Sequence, residues 1–149
     1  LLVDYGNLTV DEIAKLEGFH DEIEVDPRLP LSKWFFKVKD IKLKDLDDGD
    51  IARLIRQDYH LFYVLPEAMK RLRKNPLSGR SYEGELLNSF DSIQDDFWTT
   101  AKGYKENVTF LLNEILSNPY YQEGYEWSLE TEKQEFYDLL NNLLIKFRI

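Results

Sequence analysis

The chain has 149 residues, of which 43% are hydrophobic and 14% aromatic, and it contains no cysteine. That length and apolar content predict one domain, residues 1–149, with its own core; without cysteine, disulfides and thiolate metal sites are excluded. The formal net charge of −9 is uneven: Tyr82 to Asp138 holds 13 acids against three bases (Lys102, Lys105 and Lys133), while the remainder holds 15 acids and 16 bases. A broad negative field repels nucleic acid and suits a basic partner or plain solubility.

The first predicted helix starts at Thr9, with Glu12 completing a capping box and Leu8 and Ile13 placed as a hydrophobic staple. Ile13 and Leu16 supply a short apolar face, and Gly18 ends it. His20 to Pro30, acidic and then Pro-punctuated, reads as loop. Ser32 to Val38 is apolar, and Lys37 to Lys44 partly alternates; helix followed by loop is preferred to strand. Asp47, Asp48 and Asp50 place acids at the positive end of the next helix, where Ile51, Leu54 and Ile55 recur at helical spacing.

Leu61, Leu65, Ala68 and Leu72 form a second apolar stripe, interrupted by Pro66, which must sit near a first turn or kink the helix. Lys70, Arg71, Arg73 and Lys74 crowd its C-terminal end, and Asn75-Pro76 stops it. Ser81 is a candidate cap for the next helix, with Leu86, Leu87, Phe90 and Ile93 inward. Phe97 to Ile115 reads as one long helix or two broken near Gly103, ended by Asn118-Pro119. Tyr120 to Trp127 is an aromatic, acidic loop. Ser128 or Thr131 then starts a last helix whose Phe136, Leu139, Leu140, Leu143, Leu144 and Phe147 give the widest apolar face. The expected fold is all-α, a single compact bundle of about six or seven helices.

Signals for chemistry are sparse. Neither His20 nor His60 lies in a metal-binding pattern, and Gly79 and Gly84 fit no phosphate-loop spacing. Asp47 to Asp50 lacks the terminal Glu of a calcium loop. The expectation is a protein that is not an enzyme and takes no cofactor or metal. The longest apolar run, Leu61 to Leu65, is far too short to span a bilayer. No signal peptide is visible, although the chain begins at Leu1 rather than Met. A cytoplasmic protein without membrane or nucleic-acid partners is expected, its oligomeric state left open.

From Asp50 onward the sequence resembles a known family. The stretch Asp50-Ile51, Leu54-Ile55, Gln57 is followed by Leu61, Tyr63, Pro66, Ala68 and Leu72, then Asn75-Pro76-Leu77, Tyr82, Gly84 and Leu86-Leu87. It is similar to the helical signature of contact-dependent growth inhibition (CDI) immunity proteins, with Ile51 in place of Leu and Glu85 in place of Asp. The resemblance covers about a quarter of the chain. It implies an antitoxin that binds the C-terminal toxin domain of an exported effector, often a nuclease, and carries no catalytic residues. A helical adaptor with some other protein partner is the alternative.

Pro66, Asn75-Pro76 and Gly84 suit helix ends, so toxin contact is expected elsewhere. A nuclease cleft that binds polyanion attracts carboxylates, and aromatic anchors add affinity. The candidate toxin-binding residues are Tyr120, Tyr121, Glu123, Tyr125, Glu126 and Trp127 in the aromatic loop, together with Asp95 and Asp96. The other reading of the loop is that its aromatics pack back on the core.

Overall fold

The computed structural model describes residues 2–18 and 28–147, so His20 and most of the expected loop around it lie outside the described residues. Among the described residues there are eight α-helices and no strand, close to the expected six or seven helices and all-α as expected. They are α1 (Val10–Leu16), α2 (Pro30–Val38), α3 (Asp48–Arg56), α4 (Leu61–Lys74), α5 (Glu85–Ser89), α6 (Asp95–Thr100), α7 (Lys102–Ser117) and α8 (Glu130–Phe147). Short 3-10 turns at Leu43–Asp45 and Phe90–Ser92 and a π-helical turn at Tyr120–Gly124 complete the list. The alternation at Lys37 to Lys44 yields only an isolated bridge between Thr9 and Lys42.

Local chemistry sets the helix ends. The Glu12 N–H donates to Thr9 Oγ1 at 3.1 Å, and the Thr9 N–H donates to Glu12 Oε1 at 3.1 Å, the reciprocal capping box. The inward face of α1 is Val10, Ile13 and Ala14; Leu16, expected on that face, is exposed. Asp47 caps α3 by accepting the Asp50 N–H at 2.8 Å. α5 begins later than expected. Its cap is Gly84, at φ +88°, where a non-glycine residue is strained, and Ser81 caps none of the described helices. The expected break near Gly103 falls two residues earlier, at Ala101, which separates α6 from α7.

Pro66 sits inside α4, beyond its first turn. Lacking an N–H, it leaves the carbonyl of Phe62, four residues back, without its helical donor. Tyr104 of α7 supplies the missing one: its hydroxyl donates to Phe62 O at 2.6 Å, and its ring stacks on Phe62 at 5.1 Å between centroids. The interruption in the α4 sequence is thus repaired by its neighbour. Tyr104→Phe is expected to cost about 1–2 kcal/mol in urea unfolding, since it orphans a backbone acceptor. In a Pro66→Ala background the helix regains its own donor and the cost should shrink. An equal cost in both backgrounds would refute the link.

The buried apolar side chains form one cluster, which includes the α3 face Ile51, Leu54, Ile55, the α4 stripe Leu61, Leu65, Ala68, Leu72, and Phe136, Leu140, Leu143, Leu144, Phe147 of α8. α3 packs on α4 and α5, α4 also on α7, and α7 on both α6 and α8. No helix among the described residues is long and apolar enough to cross a membrane.

Candidate functional site

Between the segment before α5 and the N-terminal half of α8 lies a groove of about 580 Å³. One wall is the tight loop from Asn75 to Gly84. Asn75 holds it at the start: its side chain accepts the Leu77 N–H at 3.0 Å, and its carbonyl accepts the Ser78 hydroxyl at 2.6 Å. Buried Glu85 closes it from the other side, its Oε1 accepting the N–H groups of Arg80 at 2.8 Å and Ser81 at 3.2 Å. The loop folds so closely that a Cβ on Gly79 would stand 2.1 Å from the Tyr82 carbonyl oxygen; only glycine fits there. This framework pushes Tyr82 and Glu83 outward, and both are exposed.

The opposite wall is one stripe of α8. Glu132, Glu135, Phe136 and Leu139 recur at spacings of three and four and so share a face. Trp127, just before the helix, closes the end of the groove. Three carboxylates, from Glu83, Glu132 and Glu135, meet the aromatic rings of Tyr82 and Trp127, and among the described residues lining the groove none is basic. Such a surface attracts cations, and aromatic faces add cation–π attraction once water is excluded.

The aromatic loop both packs inward and reaches this groove. Tyr120 is exposed, whereas Tyr121, Tyr125 and Trp127 are half-buried. Trp127 lies 5.3 Å from Phe136 and 4.8 Å from Tyr125 between ring centroids, and its indole N–H donates to Tyr121 O at 3.1 Å. The Tyr125 hydroxyl donates to the Glu83 carboxylate at 2.9 Å, tying the aromatic loop to the first wall. Lys133 Nζ donates to Gln122 O at 2.8 Å and ties the turn to α8. Glu123 and Glu126 are exposed beside these rings.

Asp95 and Asp96 are not part of this arrangement. They are exposed in the first turn of α6, whose Trp98 packs on Phe147 at 4.8 Å between centroids. The groove instead lies against Phe136. Eleven residues of helix separate the two contacts, about 16 Å along the axis. The eight candidate residues therefore divide between two ends of α8. Tyr82, Glu83, Glu132 and Glu135 are not among the site residues expected from the sequence. The three-residue spacing of the two α8 glutamates was visible, but nothing in the sequence pairs that stripe with a loop some fifty residues upstream.

Two hydroxyls here and in the core resist ionisation. Burial, then the adjacent Glu83 carboxylate, pushes Tyr125 up to about 12, and burial likewise pushes Tyr104 up to about 12. Both are raised relative to the unfolded chain, near 10. The associated stability is thus complete below about pH 10 and is lost as pH rises through about 12. Spectrophotometric titration is expected to show two of the nine tyrosines ionising last. The Tyr104→Phe/Tyr125→Phe protein should lose those two and flatten the alkaline decline. Nine tyrosines titrating together near 10 would contradict both placements.

Among the described residues no group of three or more His, Cys, Asp or Glu side chains could hold a metal ion. His60, at the N-terminal cap of α4, contacts Glu17.

No curated protein matches the sequence. The model of the family described as CDI immunity proteins matches residues 20–108, which takes in α2 to α6, the first half of α7 and the Tyr82–Glu83 wall of the groove, and leaves the α8 wall outside. The match covers more than half of the chain, so this protein belongs to the CDI immunity proteins.

Proposed function

We propose that this chain protects its own cell by binding, one to one, the cognate CDI toxin domain, without performing catalysis. The groove of Glu83, Glu132, Glu135, Tyr82 and Trp127 is the centre of the docking face, and Tyr120, Tyr121, Glu123, Tyr125 and Glu126 form its flank. The observation that carries this reading is the lining itself: three carboxylates and two exposed or half-exposed rings with no basic side chain, in the half of the chain that holds essentially all the excess negative charge. The complementary partner is a basic surface. A nuclease fits it because its cleft must be positive to hold a polyanion.

The physics of such a face is two-part. Long-range attraction steers the encounter and raises the association rate. Desolvated aromatic anchors then slow dissociation, because a few buried rings carry most of the binding energy. Asp95 and Asp96 add to the field but lie outside the groove. The protein is proposed to act in the cytoplasm, where an imported toxin would meet its substrate.

Co-expression tests the reading. Cells producing the toxin domain encoded beside this chain should survive when the intact immunity protein is present. They should die when it carries Tyr82→Ala with Trp127→Ala, if that variant remains folded by circular dichroism. Survival with the folded double variant would move the docking face elsewhere. Death with the intact protein would remove the toxin as partner and favour a helical adaptor for another basic protein.

A further inference from the structure

The groove between the 75–84 loop and α8 is graded in depth. Its deeper lining is apolar: Leu77 and Phe136 are buried, and Leu139 and Trp127 are half-buried. Tyr82, Glu83 and Glu135 stand exposed at the rim. A guest that enters it therefore meets acids first and hydrocarbon below.

The carboxylates are short of donors. Glu132 is half-buried, yet neither its side chain nor that of Glu135 has a hydrogen bond or ion pair with a described residue. Glu83 accepts only the Tyr125 hydroxyl. The Glu132 charge acts on that same hydroxyl, so acids of both walls bear on one point.

The lining narrows the choice of guest. The same face of a second copy of this chain would set acid against acid. No group of three or more His, Cys, Asp or Glu among the described residues could hold a metal ion. A monovalent cation on an apolar stem fits both layers, provided that it sheds water readily. Guanidinium does so more easily than ammonium, lies flat on aromatic rings and forks to carboxylates.

We propose that the groove takes up one arginine side chain of the toxin domain. Its stem lies on Leu77, Phe136 and Leu139, and its guanidinium meets Glu132 and Glu135 beside the rings of Tyr82 and Trp127. This rests on the docking reading above and narrows the partner from a basic surface to one residue type. The groove, at about 580 Å³, has room for such a side chain.

The probe is Nα-acetyl-arginine methylamide, with its neutral citrulline isostere and its lysine counterpart as controls. The readout is the indole N–H resonance of Trp127, one of three tryptophans. It is assigned from Trp127→Phe or, if that variant does not fold, by elimination with Trp34→Phe and Trp98→Phe. The arginine probe should move it saturably, with a Kd on the order of 1 mM. The lysine probe should bind about three- to fivefold more weakly, and the citrulline probe should give no saturable shift. Glu132→Gln/Glu135→Gln, folded by circular dichroism, should weaken arginine binding about tenfold. In the toxin domain, one arginine changed to alanine should cost the native protein about tenfold in affinity and the glutamine variant far less.

The proposal is overturned by no saturable shift, by a control probe that binds as tightly as arginine, by unchanged affinity in the glutamine variant, or by a toxin without any such arginine. The docking reading is judged separately, by protection with Tyr82→Ala/Trp127→Ala. If that folded variant still protects, the docking face lies elsewhere. If it fails to protect while the arginine probe does not bind, only the arginine inference falls.

Discussion

Replacing Glu83, Glu132 and Glu135 together by lysine is expected to slow association with the cognate toxin by about 10- to 100-fold at low ionic strength. The three side chains line one groove, so the change turns a local triple negative charge into a triple positive one facing a basic partner. None of them pairs with a base among the described residues; Glu132 does stand in the first turn of α8, where a lysine costs about 0.3–1 kcal/mol. Glu83 loses only its bond from the Tyr125 hydroxyl. The fold should survive this small loss, and a urea midpoint only slightly below the native one would verify this. Salt discriminates further: the Debye length is about 10 Å at 0.1 M and about 3 Å at 1 M, so the gap between native and variant rates should narrow as salt is added. A variant that is folded and associates at the native rate at low salt would show that the groove is not where the toxin arrives.

Arg71→Met is expected to be the most damaging single substitution in the fold, at about 3–5 kcal/mol. Arg71 forms one node linking three parts of the chain. Its Nε donates to Glu67 at 3.0 Å, one terminal nitrogen to Asp48 at 3.2 Å, and the other to the Leu43 carbonyl at 3.0 Å. Glu67 is 5% exposed, and its second oxygen has no hydrogen-bond partner among the described residues. Removing the guanidinium strands that carboxylate in the core and frees the 3-10 turn from α4. Arg71→Lys should recover only part of the loss, because an ammonium cannot fork to three acceptors in different directions. Glu67→Leu with Arg71→Met should be less unstable than Arg71→Met alone, since a buried pair is costly chiefly when halved. Equal urea midpoints for the single and double variants would show that the stranded charge is not the cause.

The helices were legible where one short stretch of sequence decides them. Thr9 with Glu12 predicted the α1 cap, and the Leu61, Leu65, Ala68, Leu72 stripe predicted the buried face of α4. Failures occurred where a distant residue outweighs the local signal. Ser81 reads as a helix cap, yet its N–H is engaged by the buried Glu85 carboxylate, and the helix waits for Gly84. Pro66 reads as a helix disruption, and the Tyr104 hydroxyl, from a separate helix, supplies the donor that Phe62 O lacks. Leu16 has the spacing of a core residue but nothing covers it among the described residues.

The candidate site was legible in kind rather than in place. The charge count pointed to an acidic second half, and the density of Tyr and Trp drew attention to 120–127. The groove itself joins that loop to Tyr82 and Glu83, and such a juxtaposition depends on how α5, α7 and α8 pack. Asp95 and Asp96 carry the same chemistry as the groove glutamates, but they stand on α6, whose Trp98 packs on Phe147 at the far end of α8.

The most direct measurement is a calorimetric titration of the toxin domain encoded beside this chain into the purified protein, with toxin activity assayed across the same points. One binding event with a stoichiometry of one is expected, with toxin activity that vanishes at equivalence. No heat of binding, or a toxin still fully active in the saturated complex, would contradict it.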